Sequence, residues 1–378
     1  MLLRAYVLGS GVTKVDRHYE KSYLDLVDEA VAKATADVGL NLFDVEYLIV
    51  SSALPELTIN QADPSTTIAQ NLGLSKVKTL TVSTGEVSGA AAVDYALTLV
   101  KSGRARRVLV VGFEKMSEYP SWIINNAYSK ILEYEVEGTR NVSPPDYAAL
   151  IMKEYMRRYG VSREEIVKWS IKMHENAVRN PNAQLPFTIT LDSLSKALRV
   201  SEPVTILDSH PIGDGAAALF VTNDESIGRT GSTPVELVDV EAAVNAPPYL
   251  RDDVTYFTAT ATAYEKLSKR HNLKIDHNVA LNVYDTYTIY GFLTIEALGL
   301  SERGRSPEVI GKMPYLNVGG GLKARGHPIG ATPLYQIHEV CELFNGRSWV
   351  KYDGDIALVH SMSGPDNSSW LILLRGWG

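Results

Sequence analysis

The sequence predicts an α/β protein made of two similar halves that are separated by a long insertion. Short apolar runs with β character alternate with longer segments of helical periodicity, which is the pattern of parallel β-α-β units. The same order of strands and helices returns in the last third of the chain, although the letters themselves are not repeated. Between the halves, from Glu114 to Ser201, the strand rhythm lapses into Tyr-rich, polar and helical sequence.

The first half begins with a strand in YVLGSG near Tyr6 and a helix over Ser22–Val38. Ser22 is placed to cap this helix, with Asp25 three residues on, and Gly39 is placed to end it. The next elements are predicted to be strands at Tyr47–Ala53 and Lys78–Ser83, a helix at Ser88–Val100 and a strand in RVLVVG. The helix from Ser88 is apolar nearly all round, which predicts burial between two layers.

The insertion is too long for a linker and predicts a cap or a binding loop. The stretch Ile206–Asn223 returns to strand character and is expected to rejoin the first half. The second half is predicted to contain a strand in VELVDV, a helix around Ala261–Lys269, a strand at Asn278–Asp285, a helix through Leu298, a strand in YLNVG, a helix at Ile329–Phe344 and closing strands in DIALVHS and WLILLR. This repeated order predicts an internal duplication, with two similar α/β layers packed together.

Composition excludes several classes of protein. The chain has 378 residues, 45% of them hydrophobic and 21% charged, which excludes disorder as the main state. Cys341 is the only cysteine, so a disulfide-stapled module is excluded and a reducing, cytoplasmic location is expected. Apolar runs such as Val108–Phe113 are far shorter than the roughly 18 to 20 residues of a membrane span. The net charge of -7 without a basic stripe argues against nucleic acid as a partner.

The most informative segment is NVGGGLKARGHPIGAT, from Asn317 to Thr332. Three consecutive glycines follow a predicted strand, and Gly326 and His327 stand where the next helix begins. A histidine held there can point its ring into a cleft and donate a hydrogen bond to a developing negative charge. The alternative is a Gly-rich turn that the histidine merely closes.

This segment resembles the Gly-His-Pro-x-Gly motif of the thiolase superfamily, and four other segments agree with that family in order and spacing. They are Val87–Ser117, Asn180–Ala183, Asp208–Leu219 and Tyr284–Leu300, the last resembling the His-Asp-x-Phe segment of sterol-carrier-protein-type and archaeal thiolases. The resemblance implies two βαβαβαββ halves in a five-layer α-β-α-β-α arrangement, with a loop domain over the active site. The implied domains are residues 1–113 with 206–230, the loop domain 114–205, and residues 231–378.

The resemblance also marks where the chain departs from a thiolase. The nucleophilic cysteine position is Glu86, in EVSG, and Cys341 lies inside an apolar helix where it is expected to be a packing residue. His360 corresponds to the second catalytic cysteine, and archaeal relatives also carry histidine there. Tyr284 replaces the histidine of the His-Asp-x-Phe segment. Gly326 and Gly364 are expected at turns of the oxyanion hole. Next to Gly364, Ser363 and Asp366 replace glycines of the family, which is expected to alter a turn whose backbone should line that hole.

Glu86 has two main interpretations. It is favourably placed as a carboxylate at a helix start and could be a structural cap in an inactive site. Alternatively, burial could raise its pKa enough for proton transfer, or its charge could mimic a bound carboxylate. A glutamate nucleophile that forms an acyl anhydride is the remaining alternative.

Two functions therefore stay open. In the first, the chain is a thiolase-like protein without thiolase activity that binds an acyl-CoA or a partner, such as a true thiolase or an OB-fold accessory protein. In the second, it is an acyl-CoA enzyme with altered chemistry at Glu86, Tyr284, His327 and His360. The resemblance implies a homodimer or tetramer. No tightly bound cofactor or metal is expected. Coenzyme A or an acyl-CoA is a candidate ligand, and if it binds, Arg157, Arg158, Lys168 and Lys172 are candidate contacts.

Overall fold

The computed structural model describes residues 3–38, 41–224 and 232–376, and these form the α/β fold that the alternating pattern predicts. The strands are β1 (Tyr6–Val12), β2 (Tyr47–Ser51), β3 (Lys78–Val82), β4 (Arg107–Glu114), β5 (Arg199–Ser201), β6 (Val204–Thr205), β7 (Gly215–Thr222), β8 (Val235–Val244), β9 (Ala280–Asn282), β10 (Ile356–Ser363) and β11 (Ser368–Arg375). The helices are α1 (Tyr23–Val38), α2 (Pro55–Thr58), α3 (Pro64–Asn71), α4 (Ser88–Lys101), α5 (Ser121–Ser129), α6 (Pro144–Tyr159), α7 (Arg163–Ile166), α8 (Lys168–Ala177), α9 (Leu191–Ser195), α10 (Thr258–His271), α11 (Thr288–Ala297), α12 (Ser306–Val309) and α13 (Thr332–Phe344).

The first predicted helix begins as its sequence signals. Ser22 and Asp25 form a reciprocal cap, in which Asp25 Oδ2 accepts from the Ser22 amide at 2.8 Å and Ser22 Oγ accepts from the Asp25 amide at 3.2 Å. The predicted stop at Gly39 lies outside the described residues.

The two halves have the same order of elements. The first runs β1-α1-β2-α3-β3-α4-β4 and, after the insertion, β7, while the second runs β8-α10-β9-α11-α13-β10-β11. Their strands lie in mirrored order in one sheet, β3-β2-β4-β7-β1 beside β8-β11-β10-β9. Pairing is parallel within β3-β2-β4 and β9-β10 and antiparallel elsewhere. The expected duplication is therefore present, and the short β1–β8 pairing at Tyr6 and Val7 also joins the half-sheets directly.

One predicted strand, YLNVG, is reduced to a single parallel bridge between Leu281 and Leu316. The next residue, Asn317, has a φ of +43°, which is incompatible with continuing an extended strand. Its side chain completes the pairing instead, because Oδ1 accepts from the Val283 amide at 2.6 Å and Nδ2 donates to the Val283 carbonyl at 3.1 Å. A side-chain amide thus replaces the backbone of the third strand of the second half.

Three large hydrophobic cores of the described residues separate the layers. Helices α1 and α3 cover the outer face of the first half-sheet, with Leu26 and Ile68 in that core. Helices α4 and α13 lie between the half-sheets, where Val93 and Ile337 are fully buried. Helices α10 and α11 cover the second half-sheet. This is the five-layer arrangement that the resemblance implies.

The insertion between β4 and β7 carries α5 to α9 and the small hairpin β5-β6. It is anchored on α11 through Trp169, whose ring lies 5.3 Å from that of Phe292 and whose Nε1 donates to Asp285 at 2.7 Å. Gly291 permits this contact, since a Cβ there would lie 2.3 Å from the Trp169 ring. Within the described residues, no helix combines the length and apolar character needed to cross a bilayer.

Candidate active site

The site is formed where the two central helices begin. Glu86 lies just before α4 and His327 just before the turn that leads into α13, at equivalent places in the two halves. The helices approach closely because Gly89 has no side chain, and a Cβ there would lie 2.7 Å from the Gly330 carbonyl oxygen. This contact brings Glu86 Oε1 to 4.0 Å from His327 Nε2.

Glu86 is buried, with 1% of its surface exposed. Its Oε1 accepts a hydrogen bond from the Tyr128 hydroxyl, and its Oε2 accepts from the Gly364 amide at 2.6 Å. Burial raises the pKa of Glu86 to about 8, against the lowering effect of these two donors. The carboxyl group is therefore mostly protonated at neutral pH and can donate a proton.

His327 is fully buried, and its proton can be assigned from its partners. Thr332 Oγ1 donates to the Pro328 carbonyl at 3.1 Å, so at 2.7 Å it accepts from His327 Nδ1. The Nε2 lone pair then faces the site. Burial, with His210 and Arg325 nearby, holds the pKa of His327 well below its usual value, which keeps the ring neutral.

Tyr284 joins the two residues. Its hydroxyl lies 3.3 Å from His327 Nε2 and donates to the Glu86 carbonyl oxygen at 3.2 Å. Burial and the nearby Glu86 and Glu114 carboxyl groups raise the pKa of Tyr284 well above its usual value. The phenol is therefore neutral. It can give its proton to His327 only if it receives a second proton from another group at the same time.

A cleft of about 390 Å³ reaches Glu86, whereas Tyr284 and His327 are fully buried and do not line it. Its floor includes Glu86 and Ser363, and the insertion supplies one wall through Tyr128, Lys130 and Ile131. The volume lies within the range of about 300 to 1,000 Å³ that is usual for small-molecule sites.

His360 lies apart from this group. Its Nδ1 accepts from the Tyr284 amide at 3.4 Å, and its Nε2 faces Ser369 Oγ at 3.1 Å and Thr260 Oγ1 at 3.3 Å. Burial lowers the pKa of His360 to about 3. Because both ring nitrogens have structural partners, His360 can hold the main chain of Tyr284, and within the described residues its hydrogen bonds go to Tyr284, Ser369 and Thr260.

The two predicted glycines have different roles. Gly364 presents its amide to Glu86 from a turn at φ +56°. Gly326, at φ +106°, is required by packing, since a Cβ there would lie 2.5 Å from Val15 Cγ1. Gly326 therefore positions the following His327.

Asp366, expected to disturb the oxyanion turn, has a structural role. Its carboxylate accepts from the amides of Ala259 at 2.8 Å and Thr260 at 3.0 Å, and from Thr260 Oγ1 at 2.7 Å. These amides belong to the first turn of α10, so Asp366 satisfies donors that the helix leaves free. Asn245 also donates to Asp366 Oδ2 at 3.0 Å, whereas Gly364, in the same turn, donates its amide to Glu86.

Sequence reasoning missed three residues of the site. Tyr128 comes from α5 in the insertion, and the His210 ring stands perpendicular to that of His327, 4.6 Å away. Glu114 ties the halves together, since its carboxylate accepts from the Ala53 amide at 3.0 Å and the Gly330 amide at 2.9 Å. His210 belongs to the family-like segment Asp208–Leu219, which could have revealed it, whereas nothing in the Tyr-rich insertion distinguishes Tyr128.

The candidate CoA contacts are not gathered at the cleft. Arg157 pairs with Glu154 at 2.8 Å, and Arg158 pairs with Glu154 at 3.0 Å and Asp253 at 2.7 Å. Cys341 is buried, and burial raises its thiol pKa, as expected of a packing residue.

Family comparisons agree with this architecture. The family description "Thiolase, N-terminal domain" matches residues 6–190, and "Thiolase C-terminal domain-like" matches residues 249–375. An acetyl-CoA acetyltransferase of Methanocaldococcus jannaschii is 31% identical over 347 residues, covering 88% of each chain. The chain belongs to the thiolase family. Human sterol carrier protein 2 is 27% identical over 386 residues, covering 96% of this chain and 70% of that protein.

Solved structures show the same thiolase fold. One, named "Ltp2-ChsH2(DUF35) aldolase", superposes with a TM-score of 0.82 at 21% identity, covering 99% of this chain and 98% of the other. A monomeric SCP2-thiolase-like protein of Mycobacterium smegmatis superposes with a TM-score of 0.77 at 17% identity, covering 99% of this chain and 78% of the other. At these identities the likeness concerns the fold.

Proposed function

We propose that this thiolase-family chain is an acyl-CoA enzyme that makes or breaks a carbon–carbon bond by proton transfer, without an acyl-enzyme. Its substrate class is a β-hydroxyacyl thioester, cleaved to a carbonyl compound and a shorter acyl-CoA. The observation that carries the proposal is the buried group formed by Glu86, Tyr284 and His327, in which an acid and a base lie 4.0 Å apart and the acid lines a cleft. A neighbour of the same fold that is named an aldolase supports it.

The geometry favours this function over an inactive site. A structural cap would hydrogen-bond the first amides of its own helix. The Glu86 carboxyl instead bonds Tyr128 from the insertion and Gly364 from the β10-β11 turn, and no side chain caps α4. A buried carboxyl that lines a cleft, has a raised pKa and lies beside a neutral imidazole is typical of acid–base sites.

The reaction needs four proton transfers, of which these residues carry the first three and solvent the last. In this proposal the β-hydroxyl reaches the buried Tyr284 Oη and gives it a proton, as the Tyr284 hydroxyl turns from the Glu86 main-chain carbonyl and passes its own proton to His327 Nε2. The Cα–Cβ bond breaks, leaving a carbonyl at Cβ and the enolate of the shorter thioester. Glu86 protonates Cα, and its carboxylate is then stabilised by the hydroxyl of Tyr128 and the amide of Gly364. Solvent returns the proton from His327 to Glu86, so atoms and charge balance.

The test is incubation of the wild type with a panel of β-hydroxyacyl-CoA esters that differ at Cβ. We expect mass spectrometry to detect equal amounts of carbonyl product and shorter acyl-CoA from at least one ester. Tyr284→Phe and Glu86→Gln should lower this rate, and Tyr134→Phe, at an exposed tyrosine of the insertion, is the matched control. Turnover that is unchanged in both site variants would refute the proposal.

Thiolase activity itself is not expected. Thiolysis of acetoacetyl-CoA and condensation of acetyl-CoA require a thioester acyl-enzyme, which a carboxylate at Glu86 cannot form. Both rates should stay at background. Turnover at ordinary enzyme rates, about 1 to 1000 per second, would show that Glu86 does not stand at the nucleophile position.

Binding to a partner without catalysis is the second candidate. It rests on the aldolase neighbour, whose name includes a DUF35 protein as its partner. Calorimetry with CoA and acetyl-CoA separates the two functions. Heat of binding and thermal stabilisation are expected of an acyl-CoA enzyme. The absence of both effects would favour the partner-binding function.

A further inference from the structure

Three buried Tyr–Glu hydrogen bonds occur in or against the insertion. The hydroxyls of Tyr128, Tyr147 and Tyr155 donate to Glu86, Glu137 and Glu296, respectively. All three carboxyl groups have at most 5% of their surface exposed. Only the Tyr128–Glu86 pair lines the 390 Å³ cleft, and it joins the insertion to the first half. The other two pairs supply matched references for the same interaction.

The position of Tyr128 is fixed by packing. Its ring lies in a small buried cluster with Met116, Ile124 and Ile329. Its edge also approaches the His210 ring at a centroid distance of 5.5 Å. Because Ile329 belongs to the turn after His327, α5 of the insertion is seated directly against the second half of the site.

The other titratable groups near Glu86 do not replace this contact. They are Tyr284, Tyr287 and Tyr290 of the 284–297 segment, His327 before α13, His210 before β7, and Lys130 at the cleft wall. Within the described residues, Tyr128 is the side chain that donates a hydrogen bond to the Glu86 carboxyl, and Gly364 supplies a backbone amide.

We propose that Tyr128 is a positioning residue through which the inserted domain sets the direction and the proton affinity of the Glu86 carboxyl. For its effect on turnover this inference rests on the proposed function, whereas its effect on Glu86 does not. A phenol that donates to a carboxylate stabilises the charged form and opposes the effect of burial. Without it, Glu86 would hold its proton more tightly and would give it up more slowly.

The test follows the Glu86 carboxyl directly by infrared titration, with Glu86→Gln identifying its band. Tyr128→Phe should raise the titration midpoint of Glu86 by on the order of one pH unit. A shift of this size corresponds to the free energy of about one hydrogen bond. Tyr147→Phe removes the same kind of bond in the same domain and should leave the midpoint unchanged. An unmoved midpoint in Tyr128→Phe, or an equal rise in Tyr147→Phe, would overturn the inference.

A second replacement keeps the test informative if Tyr128→Phe fails to fold. Substitution of Tyr128 by 3-fluorotyrosine preserves the ring and makes the phenol a stronger donor, so the Glu86 midpoint should fall. A midpoint that stays or rises would contradict the inference. In the pH profile of turnover, the loss of activity at high pH should move upward in Tyr128→Phe and downward with fluorotyrosine. If the Glu86 midpoint shifts in Tyr128→Phe but the wild type shows no turnover, this inference is supported and the proposed reaction is rejected.

Discussion

The starts of α4 and α13 occupy equivalent places in the two halves, yet one carries an acid and the other a base. Glu86 and His327 are both buried, and burial acts on them in opposite directions. It raises the pKa of Glu86 to about 8 and lowers the pKa of His327 well below its usual value. One physical effect thus makes both groups neutral near pH 7, which prepares a proton donor beside a proton acceptor.

The two groups differ in how they are held. His327 is oriented by Thr332, five residues away at the start of α13. Glu86 is held by Tyr128, which is 42 residues away, and by Gly364, which is 278 residues away. The histidine side is therefore built from local sequence, whereas the carboxyl side depends on the packing of three distant segments.

Removal of the base should have the largest effect. We expect His327→Gln to lower kcat/KM for the cleaved β-hydroxyacyl-CoA by about a hundredfold to ten-thousandfold, the usual contribution of a positioned general base. His338→Gln is a matched control, because His338 is a partly buried histidine on α13 that contacts Ser10. A loss below tenfold in His327→Gln would show that the two helix starts do not act as an acid–base pair.

Removal of the acid should change the pH dependence of stability. The pKa of Glu86 is about 8 in the folded protein, against an ordinary value of 4.5. Between these values the folded state keeps a proton that the unfolded state has lost, so the free energy of unfolding falls as pH rises. At about 1.4 kcal/mol per unit, this contribution is at most roughly 5 kcal/mol.

Glu86→Gln should therefore lose less stability than the wild type between about pH 5 and pH 9. Urea denaturation of both proteins at these two pH values measures the difference. Asp94→Asn is a useful comparison, since burial raises the pKa of Asp94 only to about 6. Equal pH dependence in Glu86→Gln and the wild type would mean that the folded protein does not hold a proton on Glu86.

A smaller effect is expected from loosening the support of His327. Thr332→Val removes the acceptor for the Nδ1 proton and should allow the tautomer with the proton on Nε2. We expect roughly a tenfold loss of kcat, equal to about 1.4 kcal/mol. Nitrogen NMR of His327 reports the tautomer directly, and an unchanged spectrum in Thr332→Val would exclude this role for Thr332.

Much of the fold follows from local signals in the sequence. Apolar periodicity located the strands and helices around both helix starts, and the Gly-His-Pro segment identified His327. The predicted extent of the third strand of the second half was wrong, because the Asn317 side chain takes over part of the pairing with Val283. Apolar periodicity does not encode such side-chain hydrogen bonds. Tyr128 and Glu114 could not be recognised for the same reason. Their roles exist only after distant segments have packed together.

The outer edges of the two half-sheets differ in how they are covered. In the first half, β3 forms the edge, and Lys78, Thr79 and Leu80 on it are exposed. In the second half, Leu316 of the equivalent segment is fully buried, and Asn176 of α8 donates to its carbonyl at 3.0 Å. The insertion thus protects one edge and leaves the other with backbone groups that can pair with another chain.

We expect β3 to pair with its copy in an isologous homodimer, as the thiolase resemblance implies. Leu80→Lys places a charge beside its own symmetry mate and should shift the protein toward monomer, which light scattering at micromolar concentration measures. Leu150→Lys, at an exposed leucine of α6, is the control that should leave the dimer intact. A wild type that stays at 41.5 kDa would contradict the expectation.

Leu80→Lys should have the smallest effect on turnover per chain among these variants, because Leu80 lies on the outer strand rather than at the cleft. A large loss of turnover in Leu80→Lys would mean that the second chain of the dimer helps to form the site.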